Sequence, residues 1–144
     1  IPKLKICILG YAEASYLVDE DEPFTIAKHI LSQGPEMVAI KLSENGSILA
    51  TKTEQITIPP FKVKTVDTTG AGDTFTAGVT MGWLSNFDLY TTGVLANMMG
   101  ALATTVYGAG TKLPGASEII NYISSLQPKN KLITATDQIL ELLS

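Results

Sequence analysis

The chain has 144 residues, of which 45% are hydrophobic and 17% are charged, and its formal net charge is −4 at pH 7. This composition supplies enough apolar side chains for a folded domain and argues against intrinsic disorder. The sequence contains no basic tract and no apolar run of transmembrane length, so we expect neither a nucleic-acid partner nor a membrane-spanning segment.

The first part of the chain alternates between strand-like and helix-like patterns. Short apolar runs predict strands over residues 3–9, 37–42, 48–50 and 56–59. Helical spacing predicts helices over residues 12–18 and 23–33, the second with Pro23 in its first turn. The dipeptide Asn45-Gly46 is a strong hairpin signal.

The single cysteine, Cys7, lies inside the first apolar run. A lone cysteine forms no internal disulfide, and a buried one behaves as a small hydrophobic residue. We therefore expect Cys7 to lie in the core, which fits a reducing, cytoplasmic location.

Helices dominate the second part of the chain. The patterns predict helices over residues 73–84, 89–106, 117–126 and 137–143, with Ser117 as an N-cap. Small residues within 89–106 favour close packing against a neighbour. Strands that alternate with helices predict an α/β fold with a mainly parallel sheet, and no boundary inside the chain is evident.

A glycine-rich loop joins these two parts. An extended run leads into Gly70-Ala71-Gly72, and a helix begins at once. The free amides and the dipole at a helix start form an anion site, which suits a phosphate. Asp73 beside that site would repel a phosphate unless it accepts a proton from an attacking hydroxyl. Helix capping explains an aspartate at this position equally well, so the bare pattern leaves both interpretations open.

The longer string Asp67-Thr68-Thr69-Gly70-Ala71-Gly72-Asp73-Thr74-Phe75, followed by Gly78, closely resembles the C-terminal signature of the PfkB, or ribokinase-like, carbohydrate kinases. The resemblance extends to residues 40–46 and 96–114. It implies a ribokinase-like three-layer α/β/α fold. It also implies ATP-dependent phosphorylation of a hydroxyl on a sugar or related small alcohol.

The resemblance assigns roles within the loop. Asp73 matches the family's general base, and the amides of Gly70, Ala71 and Gly72 match its anion hole for the transferring phosphoryl group. Asp67, together with the Thr69 carbonyl, matches a site for a monovalent cation, commonly K⁺, with further ligands from residues 104–113. The alternative for Asp67 is a turn aspartate that bonds its own backbone.

The resemblance also implies a nucleotide site for ATP, built from two segments. Its residues in this chain are Lys41, Ser43, Asn45, Gly46, Asn97, Gly108, Ala109 and Gly110. Many family members have glycine where this chain has Ser43, a departure that adds a side chain near the base pocket. Asn97 offers a donor and an acceptor to adenine, but a surface amide on its helix is the alternative.

Glu13 matches a family glutamate that acts on Mg²⁺ through water. Gly10 stands where the family usually has asparagine, which removes one polar contact near the phosphate or the metal. The alternative for Glu13 is a solvated carboxylate at a helix start.

Family members are longer than this chain, and the resemblance covers residues 1–144 as their C-terminal nucleotide-binding and catalytic portion. The substrate and lid portion would precede Ile1, so we expect this chain alone to be inactive on sugars. An exposed edge at residues 3–9 would favour a homo-oligomer. Two further hypotheses stay open: a kinase of hydroxymethylpyrimidine or pyridoxal from the same superfamily, and a non-catalytic nucleotide-binding or assembly module.

Overall fold

The computed structural model describes residues 3–110 and 113–144, and its contacts divide the chain into two compact units. The first unit runs to Pro60 and the second begins at Phe61, a boundary that the sequence patterns did not reveal. The α/β class is confirmed, since the first unit holds the strands and the second is helical. No helix in the described part of the chain combines the length and the apolar composition needed to cross a bilayer.

The first unit is a four-stranded sheet with two helices. Its elements in chain order are β1 (Ile6–Gly10), α1 (Tyr11–Val18), α2 (Pro23–Ser32), β2 (Met37–Lys41), β3 (Ser47–Thr51) and β4 (Gln55–Ile58). The strands lie in the order β1-β2-β3-β4. β1 and β2 are parallel because α1 and α2 connect them, whereas β2–β3 and β3–β4 are antiparallel because short turns join them. The described sheet is therefore mixed, with its parallel pairing at β1–β2.

The core of this unit lies between the two helices and one face of the sheet. Cys7, Val38 and Ile40 contribute from the strands, and Ile26 and Ile30 from α2. Cys7 is 7% exposed, as expected, and burial raises the pKa of its thiol.

The second unit contains four helices. They are α3 (Ala71–Leu84), α4 (Leu89–Ala103), α5 (Ala116–Ser125) and α6 (Lys131–Leu143). All four were predicted, with boundaries that differ from the predicted ones by up to six residues. α4 ends three residues early, because the amides and hydroxyls of Thr104 and Thr105 both bond back to the carbonyls of Ala101 and Leu102.

The starts of α5 and α6 also differ from the predictions. Gly115, not Ser117, is the N-cap of α5, and its amide donates to the Glu118 carboxylate at 2.9 Å. The Ser117 hydroxyl instead donates to that same carboxylate. α6 begins at Lys131, six residues before the predicted start.

Glycines bring α3 and α4 into close contact. A Cβ on Gly78 would lie 2.6 Å from the Cα of Ala96, and one on Gly82 would lie 2.7 Å from Thr92 Oγ1. Met98 is fully buried on α4. The expected close packing of small residues is confirmed. It holds α3, the helix that begins at the glycine-rich loop, against α4.

Candidate active site

The glycine-rich loop turns sharply at Gly70. This residue has φ 81° and ψ −5°, the left-handed conformation that only glycine adopts readily, and it is the N-cap of α3. A Cβ here would also lie 3.2 Å from Leu113 Cδ2 and 3.4 Å from the Cβ of Ala109. The backbone conformation therefore favours glycine strongly, and a Cβ would also require the Leu113 side chain to shift slightly.

The amide groups that follow Gly70 form the start of α3. The Ala71 amide donates to the Thr68 carbonyl at 3.2 Å, which closes a turn. Within the part of the chain that the structure describes, the N–H groups of Gly72 and Asp73 have no hydrogen-bond acceptor. Two open N–H groups at the positive end of a 14-residue helix can bind an anion.

Asp73 lies in this first turn with an exposed side chain. The helix start brings its carboxylate into the same turn as the open amides of Gly72 and Asp73. The exposed Asp73 carboxylate and the two open amides thus lie on one element, and their roles as a base and an anion site stay predictions.

Two threonine hydroxyls bond the carbonyls of this turn, and the sequence reasoning did not single them out. Thr74 Oγ1 donates to the Gly70 carbonyl at 2.8 Å, and Thr76 Oγ1 donates to the Gly72 carbonyl at 2.9 Å. The signal was present: each threonine follows its glycine by four residues, the spacing at which Thr bonds back in a helix.

Asp67 joins the loop to the chain that follows α4. Its Oδ1 accepts from the amide of Thr69 at 2.9 Å and from Thr69 Oγ1 at 2.7 Å. Its Oδ2 accepts from the amide of Gly108 at 2.9 Å. The hydrogen bonds from Thr69, followed by that from Gly108, hold the pKa of Asp67 below its ordinary value.

The backbone adds a second link between these segments. The Thr104 carbonyl accepts from the amides of Val66 at 2.7 Å and Asp67 at 3.1 Å. The structure thus brings Asp67, Thr69 and the loop at Gly108 together. Of the cation loop predicted over residues 104–113, positions 111 and 112 lie outside the described residues.

The predicted nucleotide residues lie in both units. In the second unit, Ala109 and Gly110 follow Gly108 on an exposed loop, and Gly110 has φ 71°. Asn97 is 7% exposed on α4, so the interpretation as a surface amide is wrong. Its contact with adenine stays a prediction.

The remaining nucleotide residues lie at the turn between β2 and β3 in the first unit. Lys41 ends β2, and Ser43 and Asn45 bound a single 3-10 turn before Gly46. Ser43 has φ 54°, a left-handed conformation that glycine adopts without strain. This conformation is a reason for the glycine that many family members have at this position. Ser43 adopts it at a cost in backbone conformational energy.

Glu13 lies in the first turn of α1, where its Oε2 accepts from the amide of Gly10 at 2.7 Å. The carboxylate thus caps its own helix, as the alternative interpretation expected. A role toward Mg²⁺ stays a prediction, and the second carboxylate oxygen is available for it.

Comparison with known proteins places these features in a family. The family model for pfkB family carbohydrate kinases matches residues 3–116. A sugar kinase of Archaeoglobus fulgidus, described as uncharacterized, is 38% identical over 102 residues, which cover 71% of this chain and 40% of that protein.

Solved structures of similar fold include nucleotide and sugar complexes. A protein of Escherichia coli assigned as ribokinase II, in complex with ATP and Mg²⁺, is 28% identical with a TM-score of 0.75, over 83% of this chain and 39% of that one. A fructokinase double mutant of Vibrio cholerae, bound to fructose, ADP and a potassium ion, is 25% identical with a TM-score of 0.70, over 82% of this chain and 40% of that one.

The chain thus spans about 40% of the length of these relatives. Its matching region includes the glycine-rich loop, Asp73 and the Asp67 link to Gly108. The ribokinase-like fold predicted from the sequence is confirmed by the structural neighbours. The chain belongs to the pfkB family of carbohydrate kinases.

Proposed function

We propose that this chain forms the nucleotide-binding and catalytic portion of a kinase that transfers the γ-phosphate of ATP to a hydroxyl of a sugar or related small alcohol. The observation that carries the proposal is the start of α3, where the exposed Asp73 carboxylate lies beside open amides. The family match supports a carbohydrate as the class of acceptor.

Asp73 is proposed as the general base. An attacking hydroxyl must lose its proton as the new P–O bond forms, and a carboxylate within hydrogen-bond reach can accept it. Asp73 has no hydrogen bond to another described side chain, so its oxygens are available to a substrate hydroxyl.

The open amides are proposed as the anion hole. Negative charge on the transferring phosphoryl group is stabilised by N–H groups that are already oriented before the reaction. The sequence assigned this role to Gly70, Ala71 and Gly72. Because the Ala71 amide already donates to Thr68, we assign the larger share to the amides of Gly70, Gly72 and Asp73.

A monovalent cation is proposed at Asp67. A carboxylate accepts about four hydrogen bonds or ligands, and Asp67 uses three positions for Thr69 and Gly108. One lone-pair position and the Thr69 carbonyl fit a potassium ion. A bound cation there would add positive field beside the anion hole. Asp67 and Thr69 would hold it.

Mg²⁺ is proposed to accompany ATP, as it does in the E. coli structure. It neutralises phosphate charge when bound. The family resemblance is the basis for proposing a water-mediated contact from Glu13 to that ion. It is also the basis for proposing contacts to the nucleotide from Lys41, Ser43, Asn45, Gly46, Asn97, Gly108, Ala109 and Gly110.

The test uses the full-length protein and a panel of pentoses, hexoses and sugar acids, with coupled detection of ADP. We expect sugar-dependent ADP release from the unmodified protein. Asp73→Asn should lower kcat about 100-fold or more while the KM for ATP changes by less than about threefold. Asp137→Asn, which makes the same change on an exposed part of α6, is the matched control and should leave kcat unchanged.

The other hypotheses appear as distinct outcomes of this experiment. ADP release with hydroxymethylpyrimidine or pyridoxal, but with no sugar, would indicate the vitamin-precursor branch. Binding of an ATP analogue without transfer to any acceptor would indicate a non-catalytic module. Full activity of Asp73→Asn would refute the general-base role.

A further inference from the structure

Thr74 bonds one carbonyl of the glycine-rich loop twice. It follows Asp73 directly and is only 5% exposed. Its hydroxyl donates to the Gly70 carbonyl at 2.8 Å, and its amide donates to the same oxygen at 2.9 Å. Because the side chain is buried, water competes poorly for the hydroxyl.

The bonded carbonyl belongs to the peptide that joins Gly70 to Ala71. Gly70 has the wide φ/ψ freedom of glycine, so the peptide that joins it to Ala71 could rotate. Besides the two bonds from Thr74, the peptide has one bond from the Ala71 amide to the Thr68 carbonyl, which at 3.2 Å is at the long end of the normal range.

A rotated peptide would harm an anion site. The Gly70 carbonyl oxygen carries partial negative charge, and the positive end of α3 would lose part of its field if that oxygen turned toward it. Since the peptide is planar, a hydrogen bond that fixes the carbonyl also fixes the attached Ala71 amide.

We propose that Thr74 is a positioning residue for phosphoryl transfer: its hydroxyl keeps the Gly70 carbonyl directed away from the open amides of Gly72 and Asp73. This inference rests on the proposed function and adds a residue to it. In this role Thr74 touches no reacting atom and acts through the Gly70–Ala71 peptide.

The same helix contains a matched control. Thr80 Oγ1 donates to the Thr76 carbonyl at 2.9 Å, four residues back, as Thr74 does to Gly70. Both bonds are the ordinary Thr back-bond of a helix. They differ in the acceptor, which is an interior helix carbonyl for Thr80 and the left-handed N-cap glycine for Thr74. They also differ in burial, since Thr80 is only partly buried.

The test compares Thr74→Val and Thr80→Val in the full-length protein. Valine keeps the shape of threonine and removes the hydroxyl. We expect Thr74→Val to lower kcat about tenfold or more, and Thr80→Val to change it by less than about twofold. The KM for the sugar should stay within about twofold of the unmodified value for both variants.

Thr74→Ser restores the hydroxyl and should recover most of kcat. If Thr74→Val does not fold, Thr74→Ala gives the same comparison with serine. The positioning role is overturned if Thr74→Val and Thr80→Val lower kcat equally, or if Thr74→Ser is as slow as Thr74→Val.

The unmodified protein separates failure of this inference from failure of the proposed function. If it releases no ADP with any sugar of the panel, the proposed function fails and the role of Thr74 falls with it. An active unmodified protein in which Thr74→Val behaves like Thr80→Val overturns the role of Thr74 alone.

Discussion

The carboxylate of Asp67 accepts a hydrogen bond from the amide of Gly108, a residue 41 positions later in the chain. This bond ties the start of the glycine-rich loop to the segment that follows α4. The other carboxylate oxygen organises the loop itself through Thr69. A single side chain therefore links the two segments in which the cation site and the anion hole are proposed.

The first prediction concerns the pH dependence of this link. Hydrogen bonds lower the folded-state pKa of Asp67 below the value of about 3.9 expected in the unfolded chain. A lowered pKa means that the stabilisation is fully present above the unfolded-state pKa and is lost as pH falls through the folded-state value. Asp67→Asn should therefore be less stable than the unmodified protein at pH 7, with a difference that shrinks below about pH 4.

Urea unfolding from pH 7 to pH 3 measures this difference. Asp137→Asn is the control, because Asp137 is exposed on α6 and the same change of charge there removes no hydrogen bond that ties two segments together. A destabilisation by Asp67→Asn that is equal at pH 3 and pH 7 would contradict the carboxylate's role.

The local features of the site could be predicted from the sequence because they depend on neighbouring residues. Gly70 at a loop–helix junction and Asp73 in the first turn follow from composition and spacing alone. The hairpin at Asn45-Gly46 was predicted for the same reason and is confirmed. The hydrogen bond from Gly108 to Asp67 joins residues far apart in sequence, and hydrophobic periodicity cannot predict such a contact.

Two helix boundaries differ from the predicted ones because of threonine side chains. α6 buries Ala135, Thr136 and Ile139, and a threonine within the apolar stripe hides the helical period. The end of α4 depends on hydroxyls of Thr104 and Thr105 that replace the next helical hydrogen bonds. The start of α6 and the end of α4 were both mispredicted because of threonines. Their hydroxyls form hydrogen bonds within the helix, which hydrophobic patterning does not detect.

The second prediction concerns the contact between α3 and α4. Gly→Ala inside a helix normally adds about 1 kcal/mol of stability through propensity. At Gly78, however, the new Cβ would lie 2.6 Å from the backbone of Ala96, which cannot move as a side-chain end can. Overpacking costs about 1–3 kcal/mol and can exceed the gain, so Gly78→Ala should lower the free energy of unfolding.

Gly100 provides the comparison for Gly78, since it also lies in the helix pair. A Cβ there would lie 3.4 Å from its nearest neighbours, the Ala71 carbonyl and Phe75 Cβ. Gly100→Ala should therefore be neutral or slightly stabilising in urea unfolding. Equal destabilisation by the two substitutions would show that packing distance is not the cause.

The third prediction contrasts two residues of the β2–β3 turn. Ser43 adopts a left-handed φ of 54°, at a cost of about 1–2 kcal/mol for a residue with a Cβ. Glycine removes that cost but loses about 0.5–1 kcal/mol through the entropy of the unfolded chain. Ser43→Gly should therefore raise the free energy of unfolding by up to about 1.5 kcal/mol.

Gly46 should respond in the opposite sense. Its φ is 87°, and a Cβ would lie 2.1 Å from the Ile58 carbonyl oxygen. Gly46→Ala should cost about 3 kcal/mol or more, because backbone strain and a clash with the neighbouring strand act together. Denaturant unfolding of both variants checks the pair, and a stable Gly46→Ala protein would contradict the described turn.

The fourth prediction tests the proposed cation at Asp67 in the full-length protein. At constant ionic strength, replacing tetramethylammonium by K⁺ should raise the rate of ADP release several-fold, because a bound cation adds positive field at the anion hole. Asp67→Asn replaces a charged ligand with a neutral amide and weakens the link to Gly108, so the response to K⁺ should be lost. Asp137→Asn should keep it. If Asp67→Asn were slow but still activated by K⁺ to the same degree, Asp67 would act only as the link between the two segments, and the cation would bind elsewhere.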